Sequence, residues 1–462
     1  MRQLHPNQYR TLCALFIAAL VALVVPAFAQ EPAATHRLYL PILQTARSDS
    51  VFGLEMFHIS PARGLGLVVA TDTRWVRRNG LFWKDVEPVP GKGYRWDAPS
   101  VKLLEQELIT ASKNNLNLIL IVRASPRWAT EPYQADCAPV NPAHYDDFAR
   151  FMAAAVERYS KPPYNVKYWE VGNEPDAYIF PSDAPYGCWG VKGDPYYGGE
   201  AYGRALRVVS AAMKQANPTI KVLNGGLLLD RPYNPDDPTS TPGRFFEGML
   251  RAGAGDAFDI VSFHGYDYYY GPNNPQPLGP REDWRVAYLR GLMEQYNIAP
   301  KPLMRTESAL LCPKVTAECR WAQADYMARL YARAMRDNLL GNLWYIYDHD
   351  GFHSGALVEP GDVFNPRPAY FAYRQAAIML GGKRYSGPVT GLPEGVESYY
   401  FSGQESDVVI LWSDKAQQVS LWIGPSRQVS CVDRDGGQLS CPLVNGRISV
   451  FAHSSPVYVI LR

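Results

Sequence analysis

Val166-Lys167-Tyr168-Trp169-Glu170-Val171-Gly172-Asn173-Glu174-Pro175-Asp176 is the stretch that decides how the chain is read. Its first six residues alternate and are rich in aromatic and β-branched side chains, the pattern of a buried strand. The run breaks at Gly172 and stops at Pro175, which has no N–H for a ladder. An Asn–Glu pair is thereby delivered to the carboxyl end of a strand, where parallel barrels and open α/β sheets carry their chemistry. A lone acid at such a place is more often a solvated loop residue. Here Asn173 stands beside it, and a second acid ends a similar run downstream.

That second acid is Glu307, in Pro302-Leu303-Met304-Arg305-Thr306-Glu307-Ser308. About three strand–helix units separate the two in a barrel of ordinary repeat length. Two carboxylates at one rim are what cleavage of a glycosidic bond needs. One protonates the leaving oxygen, and the other attacks the anomeric carbon or activates water.

Outward from these runs the pattern repeats. Strands are predicted near Val51–Met56, Arg74–Arg77, Leu116–Val122, Lys221–Asn224, Asp259–Phe263 and Asn342–Tyr347. Helical stretches lie between them, at about Ser100–Asn114 with Ser100 as the cap, Pro142–Arg158, Glu200–Gln215, Pro242–Ala252, Glu282–Gln295 and Arg320–Asn338, and Pro368–Met379 closes the series. Unbroken alternation means a parallel sheet, and eight units favour a closed (β/α)8 TIM barrel, an α/β fold, over residues 50–382. From Gly381 the pattern changes to short strands with a hairpin signal at Asn445-Gly446, which reads as a small β-sandwich over 383–462. Asp176–Gly198, rich in Pro, Gly, Tyr and Trp, reads as a long binding loop.

The chain has 462 residues, enough for a large domain and a small one, and a net charge of +1. Such a balance carries no electrostatic footprint for nucleic acid or an anionic membrane. Aromatic residues are 13% of the chain, which suits a sugar cleft, although a large barrel core absorbs most of them. Arg2, His5 and Arg10 precede the apolar run Leu12–Val25 and then Ala27-Phe28-Ala29. This is the form of a secretory signal peptide over residues 1–29, followed by a linker over 30–49. The run is short for a membrane span, so a secreted, extracellular or periplasmic location is expected, with no membrane attachment beyond the signal. No phosphate-cradling glycine motif or Gly-x-Ser-x-Gly elbow occurs. His349 and His353 are four residues apart but flank Asp350-Gly351, which argues against a helical zinc pair, and no metal or cofactor is expected.

With these residues in view, the chain resembles the clan A glycoside hydrolases, whose fold is a (β/α)8 barrel. The Trp-Glu-Val-Gly-Asn-Glu-Pro run is similar to their fourth-strand motif. Arg77 stands where their second-strand Arg does. Trp83-Lys84-Asp85-Val86-Glu87-Pro88 with Gly93-Tyr94-Arg95-Trp96, and Pro126-Arg127-Trp128, resemble the xylosidase/iduronidase-like branch. His264-Gly265-Tyr266 and Trp344 resemble the sixth- and eighth-strand motifs of the cellulase-like branch.

The resemblance implies a retaining scheme, with Glu174 as acid/base and Glu307 as nucleophile. It also implies that Asn173 bonds the sugar 2-hydroxyl, that Tyr266 orients the nucleophile and that His264 lines the subsite. Trp344 becomes a sugar platform, and Arg77 or Arg305 pairs with Glu307 or Glu170. Trp128, with Trp83, Trp189 and Tyr268–Tyr270, is a candidate for outer subsites. Glu170 reads as structural, and Glu55 as a weaker acidic candidate. Six cysteines remain after Cys13 leaves with the signal, and 15 pairings are open. Their positions in the implied barrel favour Cys137–Cys188 and Cys312–Cys319 in active-face loops and Cys431–Cys441 across a hairpin. The partner expected is a carbohydrate substrate, an oligo- or polysaccharide. The alternative is a non-catalytic glycan-binding barrel at the cell surface.

Overall fold

Eight short parallel strands alternate with helices, and each strand buries residues on both faces, as a barrel requires. The computed structural model describes residues 50–179, 187–271, 283–425 and 427–462. The expected signal peptide and linker lie outside the described residues, as do parts of the loops after the fourth and sixth strands. The strands are β1 (Phe52–Glu55), β2 (Trp75–Phe82), β3 (Asn117–Arg123), β4 (Tyr168–Val171), β5 (Lys221–Leu223), β6 (Val261–Tyr268), β7 (Leu303–Leu311) and β8 (Gly341–Trp344). Their order in the sheet is β5-β4-β3-β2-β1-β8-β7-β6. Between β5 and β6 isolated bridges, Leu223–Ile260 and Leu227–Phe263, replace a continuous ladder and close the barrel. The His264 N–H donates to the Leu227 carbonyl there at 2.7 Å.

Alternation along the strands sorts their side chains. Trp75, Ile119, Leu223, Ile260, Met304 and Leu343 meet as an apolar floor inside the barrel. Leu54, Val76, Leu120, Trp169, Val222, Phe263 and Trp344 point the other way, into the core beneath the helices. Two residues beyond the floor the inward positions turn polar, with Arg77 after Trp75 on β2. That layer faces the carboxyl ends of the strands and holds the candidate site.

The helices are α1 (Leu65–Val69), α2 (Trp83–Val86), α3 (Pro99–Lys113), α4 (Tyr145–Tyr159), α5 (Gly199–Ala216), α6 (Phe245–Arg251), α7 (Trp284–Gln295), α8 (Ala317–Arg336) and α9 (Pro368–Leu380). Three of the boundaries that differ from expectation do so for clear physical reasons. Strands β2 and β6 run on to Phe82 and Tyr268, because their inward residues there are polar and hide the apolar alternation. Helix α3 is capped at Ala98 with Pro99 at its first position. Ser100 is inside the helix, and its hydroxyl donates to Asp85 Oδ2 at 2.7 Å.

A hairpin of β9 (Val358–Glu359) and β10 (Asp362–Pro366) precedes α9. Beyond it are two antiparallel sheets. One contains β11 (Arg384–Gly387), β12 (Val396–Ser402), β13 (Asp407–Ser413), β15 (Val429–Asp433), β16 (Gln438–Leu439) and β19 (Val457–Leu461). The other contains β14 (Gln417–Trp422), β17 (Leu443–Val444) and β18 (Arg447–Ala452). On β13, Val409 and Leu411 face the second sheet, while Val408, Ile410 and Trp412 join the barrel's core. Both faces of the first sheet are therefore buried, which explains the unbroken apolar run Val408–Trp412. Arg333 of α8 grips Glu397 of β12 through Nε at 2.9 Å and Nη2 at 2.8 Å. Barrel and sheets belong to one compact unit.

All three expected disulfides are present: Cys137–Cys188, Cys312–Cys319 and Cys431–Cys441. The first joins the loops after β3 and β4, and the second closes the connection from β7 to α8.

Candidate active site

The chain leaves β4 through Gly172, at φ 86°, and brings Glu174 into the left-handed region at φ 52°. A non-glycine residue there is strained and needs support. The Glu174 N–H donates to the carbonyls of Gly225 and Gly226 at 2.8 and 3.1 Å. Asp176 clamps the same turn from its far side, accepting from the N–H groups of Leu228 and Leu229 at 2.9 Å each. Gly226, at φ 59°, passes so close to the His264 ring that a β-carbon would collide with Nε2. Backbone just beyond β5 thus fixes both the position of Glu174 and the wall behind its histidine.

Glu307 reaches the cavity by a different device. In a regular strand Arg305 and Glu307 would share a face. The register of β7 against β8 shifts between Arg305 and Ser308, so the two part company. Glu307 and Thr306 turn inward. Arg305 turns outward, bonds Asn342 Oδ1 at 2.8 Å and pairs with Asp283. Arg305 is therefore not a partner of Glu307 or Glu170, contrary to one of the two options read from sequence.

Arg77 takes the other option. It is fully buried and spends its whole fork on the site. Nε donates to Glu170 Oε2 at 2.6 Å, Nη1 to Glu55 Oε2 at 2.6 Å and to Glu307 Oε1, and Nη2 to Asn173 Oδ1 at 2.6 Å. Thr306 Oγ1 adds a bond to Glu170 Oε1 at 3.1 Å, so Glu170 is tied down from two strands as a structural acid. The second oxygen of Glu307 accepts from the Tyr266 hydroxyl and lies 3.6 Å from His264 Nδ1. The same Nδ1 is 2.8 Å from Glu174 Oε1.

One oxygen each of Glu174 and Glu307, with a nitrogen of His264, all lie within 4.8 Å of one another. Such a trio can surround a cation. Here Arg77 and Tyr266 already occupy the oxygens of Glu307, and His264 is engaged with Glu174, so these donors are spent on one another.

Their surroundings push the two acids apart. Burial drives Glu174 up to about 7, against the opposing hydrogen bond and charge of His264. Burial acts on Glu307 as well, but His264, Arg77 and the Tyr266 hydroxyl outweigh it and hold Glu307 below the usual glutamate value. Burial lowers the proton affinity of His264, and the charges of Glu307 and Glu174 more than restore it, so its pKa is raised. Near neutral pH the arrangement presents one carboxyl that can hold a proton and one that remains ionised. Carboxyls with separated pKa values mark the acid and base roles of an active site.

Asn173, Glu174, His264, Tyr266, Glu307 and Arg77 thus meet as expected. Trp344 does not join them. Leu343 faces the barrel floor, so Trp344 faces the helices, fully buried, with Nε1 on the Gly355 carbonyl at 2.7 Å. The next residue, Tyr345, takes the inward place, its ring 6.2 Å from that of Tyr266. Reading the aromatic motif one residue later, by period-two counting from Leu343, would have found it. Trp128 also misses the cluster. It packs edge-on against Trp83 at 5.3 Å and donates to the Glu87 carbonyl at 3.1 Å, in the aromatic group over α4. Trp83 and Trp189 are buried, whereas Tyr268 and Tyr270 are exposed and stacked on each other at 6.1 Å. Asp176 carries no signal of its own in the sequence, and Glu55 only a weak one.

No protein-family model matches the sequence, and no curated protein matches it. Solved structures do resemble the fold. A family 39 glycoside hydrolase from Bacteroides cellulosilyticus WH2 superposes with a TM-score of 0.68 at 19% identity, over 91% of this chain and 82% of that one. A family 30, subfamily 8 xylanase from Clostridium acetobutylicum gives 0.62 at 13% identity, over 89% and 95%. A family 39 β-xylosidase from Caulobacter crescentus gives 0.58 at 14% identity, over 90% and 96%. Likeness at these identities establishes the architecture, a (β/α)8 barrel with an appended β-sandwich.

Proposed function

We propose that this chain is a glycoside hydrolase that cleaves O-glycosidic bonds of an oligo- or polysaccharide with retention of configuration. The observation that carries the proposal is the facing pair Glu174 and Glu307, an oxygen of each within 4.8 Å of the other. A direct nucleophile needs carboxyls about 5–5.5 Å apart, while an inverting pair stands roughly 6.5–9.5 Å apart to admit water. In the first step Glu307 bonds to the anomeric carbon as the glycosidic C–O bond breaks. The leaving oxygen takes the proton of Glu174. In the second step Glu174 takes a proton from water, the water oxygen bonds to the anomeric carbon, and the bond to Glu307 breaks. Arg77 and Tyr266 hold Glu307 ionised and aimed. Asn173, fixed through its amide oxygen, is placed for the substrate hydroxyl next to the reacting carbon. A barrel that only binds glycans has no use for two carboxyls with opposed proton affinities.

Export is part of the proposal. The N-terminal charged and apolar segment supports it, and so do three disulfides, which persist in oxidising compartments. No helix among the described residues is long and apolar enough to cross a membrane.

The test is a panel of aryl glycosides and glycans offered to the purified protein, with product configuration followed by proton NMR. A 2-fluoro glycoside of the best sugar should then label Glu307, identified by peptide mass. An inverted product would remove the nucleophile role, and no turnover together with tight glycan binding would favour a binding protein.

A further inference from the structure

We propose that Glu55 is a positioning residue for the nucleophile: it shares one nitrogen of Arg77 with Glu307 and so sets how much of that cation's charge Glu307 receives. The use of this tuning rests on the glycosidase reading; the contact itself does not.

Arg77 Nη1 carries two hydrogens. One goes to Glu55 Oε2 at 2.6 Å and the other to Glu307 Oε1. Nε and Nη2 are directed at Glu170 and Asn173, so Nη1 is the one nitrogen that serves both Glu55 and Glu307. One guanidinium therefore faces three carboxyls, from β1, β4 and β7. Glu55 is itself buried. The charged and titratable groups around it are Arg77 from β2, Glu307 from β7 and His264 from β6, with Arg123 of β3 and Tyr345 beyond β8 in electrostatic reach.

One guanidinium bonded to three buried carboxyls cannot by itself keep all of them ionised at low cost. Glu170, with two hydrogen-bond partners, and Glu307, with Tyr266 and His264 as well, are supported from several sides. Among the described residues the Glu55 carboxylate accepts a hydrogen bond from Arg77 alone, and burial pushes it up to about 7. Below that value it is a neutral acid, and the charge on Nη1 serves Glu307. Above it a second anion sits on the same nitrogen, beside the nucleophile. The protonated form is the competent one, so activity on the alkaline side depends on two protons, those of Glu174 and Glu55.

The test compares the wild type with Glu55→Gln, whose amide oxygen can still accept from Nη1 but which cannot ionise. An acid whose folded pKa is raised adds stability below its unfolded value, and that stability is lost as pH rises through the folded value. Wild type should lose this contribution between pH 4.5 and 8 and Glu55→Gln should not, so their Tm difference should move towards the variant by roughly 2–4 °C. This readout needs no substrate, so it survives failure of the glycosidase reading. With a turned-over aryl glycoside, the alkaline limb of log kcat/KM against pH should approach a slope of −2 in wild type and −1 in the variant. A Tm difference that is flat with pH, or an unchanged limb, overturns the proposal. Should Glu55→Gln not fold, carbon-13 NMR of glutamate-labelled Glu174→Gln answers the same question. One glutamate carboxyl must still titrate near 7, and finding none overturns the proposal.

Discussion

Arg77 and Arg329 are the same side chain at the same complete burial, and they live opposite lives. Arg77, inside the barrel, gives hydrogen bonds to three carboxylates and an amide. Arg329, on α8 against the first antiparallel sheet, has no acceptor for any of its three nitrogens among the described residues. It lies 5.7 Å over the Trp412 ring, while the nearby acids Asp325 and Glu397 are taken by Arg434 and Arg333. Burial works against both cations. Glu170, Glu55 and Glu307 outweigh it at Arg77, whose pKa is raised well above normal. At Arg329 burial prevails over the pull of Asp325, and the pKa falls to about 10. Burial alone therefore says little about what a charge does. The acceptors around it decide whether it organises a site or is a cost carried by packing.

The largest effect expected from this contrast is that of Arg77→Met. It strands three buried carboxyls and frees Asn173, and breaking a buried ion pair from one side typically costs about 3–5 kcal/mol. Turnover should vanish and denaturant stability at pH 7 should fall by at least that much, with partial recovery near pH 4 as the acids protonate. A variant with near-normal activity would mean that Arg77 is not the hub of the site.

Next come the two acids, and the prediction separates them. Glu307→Ala should fold and turn over nothing, because no glycosyl-enzyme can form. Glu174→Ala should lose about 10²–10⁴ in rate on poor leaving groups and much less on activated aryl glycosides, where protonation matters little. Equal losses on both substrate types would contradict the roles. The pH profile belongs to the same contrast. Activity should fall as pH rises through about 7, where Glu174 loses its proton. On the acid side it should hold to below the ordinary glutamate value, because Glu307 is held low.

What the sequence could and could not supply follows the same line. Glu174 and Glu307 were legible because each ends an apolar run at a strand's carboxyl end, and the barrel followed from alternation. The motif names the residue type of Trp344, whereas its orientation depends on counting from Leu343, which faces the floor. Arg305 stays a candidate in the sequence because a register shift in β7 has no signature in an apolar run. Glu55 and Asp176 act through a guanidinium and a pair of N–H groups brought in from other strands, contacts that exist only once the barrel closes.

The smallest expected effect is at Arg329. Replacing it with Met removes a fully buried cation that donates no hydrogen bond to the described residues and keeps an unbranched apolar stem against Trp412. Replacing buried ionic groups by apolar residues of similar volume is often neutral, or stabilising by about 1–4 kcal/mol. Arg329→Met should therefore leave the pH profile and kcat/KM untouched and shift the unfolding midpoint little or upward. The opposing terms are the lost ring contact, worth about 0.5–2 kcal/mol when desolvated, and the lost attraction to Asp325. Against these stands the desolvation of a charge with no acceptor, several kcal/mol even after relaxation. A large destabilisation would show that Arg329 has a counter-charge or ordered water at the seam. The contrast with Arg77 would then be one of partner type rather than of partner number.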